Sequence, residues 1–485
     1  MKFSYGDQDP IAALATAPGQ SALAVIRTSG KTPDGKTSID LTAGVFSRPA
    51  RLGSAAGNSV VHGWIVDPFS KKKIDEVLIS VFRSPKSFTG EDCTEICCHG
   101  GAASVKAVMS VLKKAGFREA LPGEFSFRSF MNGKTDLTRA ESVMEIVSAK
   151  SGRARERAVQ RLSGILEKEI SGIKNLLVQV LAGTEIYLDY SEDEFSVSAE
   201  DEAAGRLPDR ALAETAAEKL AALAELWRRE RVYAEGALAV IAGRPNAGKS
   251  SLFNYLLRED RSIVTDTPGT TRDWIEAVIC AEDIPLRIAD TAGLRNPGLA
   301  DGGEAEKIGI QRSFDLLDSA DLVLYVIDGT EGITAEDREF IADHHSKPML
   351  VLWNKSDMAK PPLNSSGYSV PLNADDSFSQ LLSVSAKTGE GVPALIENIV
   401  SVFDKSGTEI SYGEGTGPGT VRQKELIDTA LASVREALVL ADNGEPLDLI
   451  APLLRTAVDA LGEITGEVTN ADILEVMFGR FCVGK

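Results

Sequence analysis

The sequence predicts a multidomain chain: an α+β N-terminal domain, an all-α helical domain, and an α/β phosphate-loop nucleotide domain inserted into the helices. Three observations carry this. At 485 residues the chain is too long for one core. The stretch Gly243-Arg-Pro-Asn-Ala-Gly248-Lys249-Ser250 fits G-x-x-x-x-G-K-[ST], with a strand-like run before it and a helix-like run after it. Apolar residues recur at helical spacing on both sides of that loop, from Asp136 to Tyr233, from Val421 to Leu440 and from Pro452 to Leu461. Helices flanking one α/β module read as an insertion, because domain termini commonly lie close together. The expected segments are 1–133, 134–235, 236–402 and 403–485.

In the first segment Leu23-Ala-Val-Ile26, Val60–Val66, Glu76–Phe82 and Thr94–Cys98 read as strands and Ala102–Ala115 as a helix. Short strands divided by Gly and Pro, with one clear helix, suggest a compact α+β domain. In the second, Asp189–Glu194 reads as an acidic bend and Arg153-Ala-Arg-Glu-Arg157 as a solvated helix face rather than a nucleic-acid patch. Gly413-Glu-Gly-Thr-Gly-Pro-Gly419 reads as a linker or mobile loop.

Composition narrows the classes of function. With 43% hydrophobic and 25% charged residues the chain is globular. No apolar run approaches the roughly 18 to 20 residues that cross a bilayer, so no membrane partner is expected. The first residues do not resemble a signal peptide, and five cysteines without repeating spacing suit reduced thiols, so a cytoplasmic location is expected. Cys93, Cys97, Cys98 and Cys280 read as small apolar packing residues. A net charge of -19 argues against a surface that broadly wraps phosphate backbones; contact with a nucleic acid would be local or shared with a basic partner.

The nucleotide site is read from five signatures in order. Ala237–Ala242 is short, apolar and partly β-branched, as a buried parallel strand should be, and Ser251–Leu257 looks helical. Between them Asn246, Ala247 and Gly248 present backbone N–H groups to phosphates, Lys249 adds charge at the β/γ positions, and the hydroxyl of Ser250 suits Mg²⁺, with Ser251 next to it. Leu286-Arg-Ile-Ala-Asp290 ends a strand at Asp290-Thr291-Ala292-Gly293, where a carboxylate holds the Mg²⁺ shell and a glycine N–H meets the γ-phosphate. Leu322–Asp328 and Met349–Trp353 are further buried strands, the latter leading into Asn354-Lys355-Ser356-Asp357. The Asp357 carboxylate accepts two hydrogen bonds from the N1–H and exocyclic amine of guanine, which adenine cannot supply; such a site discriminates by about 10⁴. Ser385-Ala386-Lys387 follows a last strand as the remaining base loop.

That set is shared by Ras-like GTPases. Thr265-Asp-Thr-Pro-Gly-Thr-Thr-Arg-Asp273 resembles the switch I of the TrmE-Era-EngA class, with Thr271 at the Mg²⁺-binding threonine. Leu294 stands where Ras-like proteins carry a water-positioning Gln, so hydrolysis needs another arrangement. Across essentially its full length the chain resembles the MnmE/TrmE family of tRNA-modification GTPases. The matching stretches are Pro18–Gly30, Thr89–Gly101, Leu121–Arg128, Asn132–Leu137 and the terminal Phe481-Cys482-Val483-Gly484-Lys485.

This resemblance implies a homodimer through the N-terminal domain and a 5-formyl- or methylene-tetrahydrofolate carrying the one-carbon unit. It also implies a heterotetramer with the flavoprotein MnmG (GidA), which brings FAD, and a tRNA whose wobble uridine receives an aminomethyl or carboxymethylaminomethyl group at carbon 5. The family's folate contacts fall on Arg27, Glu95 and Lys134. Its potassium ligand falls on Asn246, with the loop of Thr265, Thr267 and Thr270; Thr265, Thr270 and Thr271 also stand at nucleotide-contacting positions. Catalytic positions are implied at Arg272, Cys482 and Glu306, the last orienting the attacking water. Asn296–Gly303 is longer than the family's usual segment, which leaves Glu304 as a rival to Glu306. The Cys482 thiol would serve the tRNA chemistry, as nucleophile or as support. An RNA-binding or ribosome-assembly switch of the Era/EngA type would need a KH-like module or a second nucleotide domain, and a dynamin-like protein a membrane-inserting segment; the sequence carries none of these.

Overall fold

The computed structural model describes residues 5, 9–189, 207–258, 276–290, 316–344, 347–361, 369–371, 378–404, 416–468, 471–479, 481, 483 and 484. It divides into two compact units. One comprises Met1–Met144, Glu167–Ala216 and Thr429–Lys485, the other Glu145–Leu166 and Ala217–Asp428.

The first unit is built on a six-stranded sheet of order β3-β4-β5-β2-β1-β6. Its strands are β1 Ile11–Leu14, β2 Leu23–Ser29, β3 Ser59–Val66, β4 Lys73–Phe82, β5 Cys93–His99 and β6 Arg118–Glu119, antiparallel except for β1 against β6. Alternation sets the two faces. In β4, Val77, Ile79 and Val81 turn into the core while Glu76 and Leu78 face outward, as a sheet covered on one side requires. Helices α1 Ser38–Gly44, α2 Pro49–Gly53 and α3 Ala102–Lys114 cover the inner face, through Ile39, Leu52, Val108 and Leu112 among others. The start of α1 is fixed by a capping box between Thr37 and Asp40. On the outer face the β2/β5 register sets Arg27 opposite Glu95, Ser29 opposite Cys93 and Val25 opposite Cys97.

Helix α4, Glu124–Met131, is rooted by a buried charge network. Glu124 is fully buried and accepts from Arg118 and Arg128, which also reach Asp9. Burial alone would raise the Glu124 carboxyl; the Arg118 and Arg128 guanidiniums and the Leu121 N–H outweigh it and hold the group below the ordinary carboxylate range. A second cluster joins Leu137 and Ala140 of α5, Leu137–Ser148, to Leu474, Phe478 and Phe481 near the C-terminus.

The second unit holds a seven-stranded sheet, β12-β13-β11-β10-β7-β9-β8. Its strands are β7 Ala237–Gly243, β8 Glu276–Ala281, β9 Ile284–Asp290, β10 Leu322–Asp328, β11 Met349–Asn354, β12 Ser369–Pro371 and β13 Phe378–Ser383. The five inner strands are parallel, and the edge strands β8 and β12 antiparallel. All of β10 is buried, as expected for a strand covered on both faces, and separate clusters lie on the two sides. This is the Ras-like α/β arrangement, with α9, Lys249–Arg258, following the loop after β7.

Packed into the same unit are α6, Gly152–Leu162, and the C-terminal part of α8, Arg210–Glu235, with α7, Ile165–Asp189, between them in sequence; Ala154 and Tyr233 join the core cluster that contains Ile279, Ala281 and Ile284. Two sequence expectations are corrected here. Thr416–Gly419, read as part of a mobile linker, is buried. Its carbonyl at Gly417 accepts from Arg161 Nη1 at 3.3 Å, and a Cβ on Gly419 would stand 2.5 Å from Arg161 Nε. The helix face at Arg153–Arg157 is not simply solvated either. Arg153 donates to the Tyr233 hydroxyl at 3.2 Å, and Arg157 lies 3.7 Å from Glu230 with only 14% of its side chain exposed. The acidic bend falls almost wholly outside the described residues.

Candidate functional site

The nucleotide site lies at the carboxyl ends of β7, β9, β10 and β11, where open parallel sheets place their ligand crevice. Gly243 and Gly248 leave β7 with positive φ of 139° and 94°; a Cβ on Gly248 would collide with the Asn354 amide. Asn246 takes φ 63° and is exposed at the loop tip. Lys249, 8% exposed, donates to the carbonyls of Gly243 and Arg244 at 2.8 Å each, which folds its ammonium over the loop. The Ser250 hydroxyl donates to Asp290 Oδ2 at 2.8 Å. A hydroxyl and a strand-end carboxylate so placed suit the inner and outer shells of a Mg²⁺ ion.

Asn354, 2% exposed, ties three loops together. Its amide donates to the Ala247 carbonyl at 2.8 Å, and its oxygen accepts the Ala386 N–H at 3.0 Å. The Ser385 hydroxyl donates to Asp357 Oδ1 at 2.7 Å, which orients an otherwise exposed carboxylate at the rim. Lys387 is exposed beside it, and Ser251 is exposed at the start of α9.

Two supports were not read from the sequence. Lys355, at φ 61°, pairs with Asp328 Oδ2 at 2.5 Å. Burial would raise the Asp328 carboxyl, but hydrogen bonds from Lys355 and Thr330 outweigh it and hold it below its ordinary value. Arg244 donates to Glu331 at 2.9 Å and Glu336 at 3.2 Å, joining the phosphate loop to the turn after β10. Asp328 ends β10 as Asp290 ends β9, and that parallel was the available signal. Thr265, Thr267, Thr270, Thr271, Arg272, Thr291, Ala292, Gly293, Glu304, Glu306 and Cys482 lie outside the described residues.

In the first unit the geometry brings two of the three folate candidates together. Arg27 Nε and Nη2 both donate to Glu95 Oε1, at 3.0 and 2.8 Å, and neither donates to Oε2. The guanidinium lies 5.0 Å from the ring centroid of Phe88 and 5.8 Å from that of Phe125. Lys134 is reached through the loop that carries Phe88: its ammonium donates to the Pro85 carbonyl at 2.9 Å, and a Cβ on Gly90 would lie 3.2 Å from its Cγ. Deeper on the same face Ser29 donates to Glu91 Oε2 at 2.6 Å and meets Thr89 at 2.7 Å, while Glu91 Oε1 is buried without a partner among the described residues. A buried acceptor without a partner and a carboxylate bonded to Arg27 through one oxygen fit a polar heterocycle bearing N–H donors.

Of the four cysteines read as packing residues, Cys93 and Cys98 are buried and Cys97 and Cys280 partly exposed, and burial pushes the Cys98 thiol up to about 11. Among the described residues no group of three or more acidic, His and Cys side chains is placed to hold a metal, and no helix is long and apolar enough to cross a membrane.

Residues 10–134 match the family model for the GTP-binding protein TrmE N-terminus, and residues 137–482 that for the MnmE helical domain. A tRNA modification GTPase MnmE from Treponema denticola is 42% identical, covering 100% of this chain and 99% of that protein. One from Desulforamulus reducens is 38% identical, covering 98% and 99%. Among solved structures, the G domain of the T. maritima FeoB iron transporter aligns at 26% identity over 34% of this chain and 98% of that one, with a TM-score of 0.24. With full-length relatives at this identity and a family model over most of its residues, the chain belongs to the MnmE family.

Proposed function

We propose that this chain, a tRNA-modification GTPase, couples GTP hydrolysis to installation of an aminomethyl or carboxymethylaminomethyl group on the wobble uridine of tRNA. In this reading it works as a cytoplasmic homodimer with a flavoprotein partner of the MnmG type that carries FAD. The observation that carries the reading is the pairing, in one chain, of a guanine-nucleotide crevice closed by Asn354 with a separate polar site at Arg27 and Glu95.

In the crevice Asp357 reads guanine, Lys249 turns from the loop carbonyls to the phosphates, and Ser250 and Thr271 hold Mg²⁺, which neutralises developing phosphate charge when bound. Asn246 at the loop tip, with Thr265, Thr267 and Thr270, would hold K⁺ beside the phosphates, in place of an arginine finger. Arg272 and Glu306, or Glu304 in its place, would act in switch I and switch II. At the second site Glu95 Oε2 accepts from the ring N–H donors of a tetrahydrofolate, Arg27 fixes Glu95, and Lys134 pairs with the glutamate carboxylate. That folate supplies the one-carbon unit, and the Cys482 thiol serves the uridine chemistry.

The test is nucleoside analysis of tRNA from cells lacking the chain, complemented with wild type or Cys482→Ser. The modified wobble nucleoside should vanish, return with wild type and stay absent with Cys482→Ser, although the variant hydrolyses GTP at the normal rate. An unchanged nucleoside profile in cells lacking the chain would sink the proposal; full restoration by Cys482→Ser would remove the thiol from the chemistry.

A further inference from the structure

The C-terminal tail is held at two points. Phe481 is 6% exposed, its ring 5.2 Å from that of Phe478, which lies 5.7 Å from Phe127. The helix that ends at Phe478 is itself pressed on α4: Gly123, at φ 69°, has no room for a Cβ against the Phe478 carbonyl. Three residues beyond Phe481, Gly484 takes φ 92° and is buried on the end of β1. A Cβ there would stand 2.6 Å from the Leu14 carbonyl oxygen and 2.9 Å from Ala15 Cα, both backbone atoms that cannot swing aside. Its carbonyl accepts from Arg27 Nη1 at 3.2 Å. Val483 between the anchors is 50% exposed.

Arg27 therefore divides one rigid fork between two partners, Glu95 through Nε and Nη2 and the tail through Nη1. We propose that Arg27 is a latch between the ligand site and the tail, so that tail docking and occupancy of the Arg27/Glu95 site are thermodynamically linked, with Gly484 as the positioning residue that lets the carbonyl reach it. This rests on the folate reading of that site. A ligand that binds Glu95 Oε2 needs the carboxylate held in one orientation, and the docked tail immobilises the guanidinium that holds it. Reciprocity then requires the ligand to tighten the tail by the factor by which the tail tightens the ligand.

Full-length wild type, Gly484→Ala and Arg27→Lys are compared. Lysine keeps the charge but, as a single compact donor group, does not bridge both partners in the same geometry. Three quantities are read: affinity for 5-formyltetrahydrofolate, the rate at which a carboxypeptidase removes the terminal residues with and without that ligand, and GTP turnover. Saturating ligand should slow tail removal in wild type by about fivefold or more. Gly484→Ala should lose that protection, release its tail faster without ligand, and bind the folate more weakly by a similar factor, with GTP turnover unchanged. Arg27→Lys should also lose the protection, which keeps the idea testable should Gly484→Ala misfold. A wild-type chain that binds the folate without slower tail removal, or a Gly484→Ala chain with wild-type affinity, would overturn the latch and leave the folate reading standing. A wild-type chain that binds no folate would overturn that reading, and the linkage with it.

Discussion

Arg161 is where a single substitution should cost the second unit most. Its side chain is 2% exposed; Nε donates to Glu145 at 2.7 Å, Nη1 to Glu230 at 2.8 Å, and the Gly417 carbonyl accepts at 3.3 Å. It thus joins α5, α6, the end of α8 and the buried strap at Thr416–Gly419. Arg161→Ala removes the guanidinium from two carboxylates whose side chains are 14% and 4% exposed. Breaking a buried pair of this kind costs about 3 to 5 kcal/mol. Two features favour the lower end. Arg157 remains 3.7 Å from Glu230, and a cavity lined by Glu145, Arg157, Glu230 and Tyr233 would widen enough to admit water. At about 3 kcal/mol, the melting temperature of a unit of roughly 200 residues should fall by about 6 to 12 °C.

The assay is calorimetry of the full chain with and without GDP, because the transition that GDP raises belongs to the nucleotide-binding unit. Arg161→Lys should fall between wild type and Arg161→Ala, since one ammonium serves one carboxylate well and not two. The combination Arg161→Met, Glu145→Gln, Glu230→Gln should recover most of the loss, because no unneutralised charge is then buried. If the GDP-sensitive transition of Arg161→Ala stays within about 2 °C of wild type, the cluster does not hold this unit together and the reasoning fails.

Three further outcomes follow from the sites. Asp357→Asn should weaken GTP by tenfold or more and admit xanthine nucleotides, read by titration of both; a change in GTP affinity below about twofold would show that another group reads the base. Asn246→Ala should abolish any stimulation of hydrolysis by K⁺ over Na⁺ while GDP binding is kept, and equal wild-type turnover in the two salts would remove the cation from the mechanism. Glu124→Gln should destabilise the first unit by about 3 kcal/mol at neutral pH by leaving Arg118 and Arg128 short of a carboxylate. Because the Glu124 carboxyl is depressed in the folded chain, its contribution is present above the unfolded value of about 4.3 and lost as pH falls through the folded one. The gap between the melting curves of wild type and Glu124→Gln should therefore narrow as pH falls below about 4.3; a gap that stays constant down to pH 3 would refute the assignment.

What the sequence made legible was local. Leu322–Ile327 and Ala237–Ala242 are apolar without interruption because both faces of their strands are buried, and the glycines of the phosphate loop announce the close approach they permit. Charged residues on helices carry no such mark. Arg161 and Arg157 fit the polar positions of a helix equally well whether solvated or buried, and the partners that decide the matter lie 16, 69 and 256 residues from Arg161.

Glycine misled in the same way. The run ending Thr-Gly-Pro-Gly at 416–419 has the composition of a linker, yet Gly417 and Gly419 stand where Leu226 and Arg161 leave no space for a Cβ. A glycine chosen for freedom and a glycine chosen for contact are the same letter. They differ only in what surrounds them, and that is set by tertiary packing. Gly484 illustrates the point at the chain's end. Its neighbours in sequence mark the tail as specific, but the carbonyl oxygen of Leu14, which excludes a side chain there, and the guanidinium of Arg27, which uses the carbonyl so exposed, come from the first strands of the fold. The constraint on Gly484 is a consequence of the β1/β2 hairpin, so substitutions in that hairpin that shift Leu14 should disturb the tail as Gly484→Ala does.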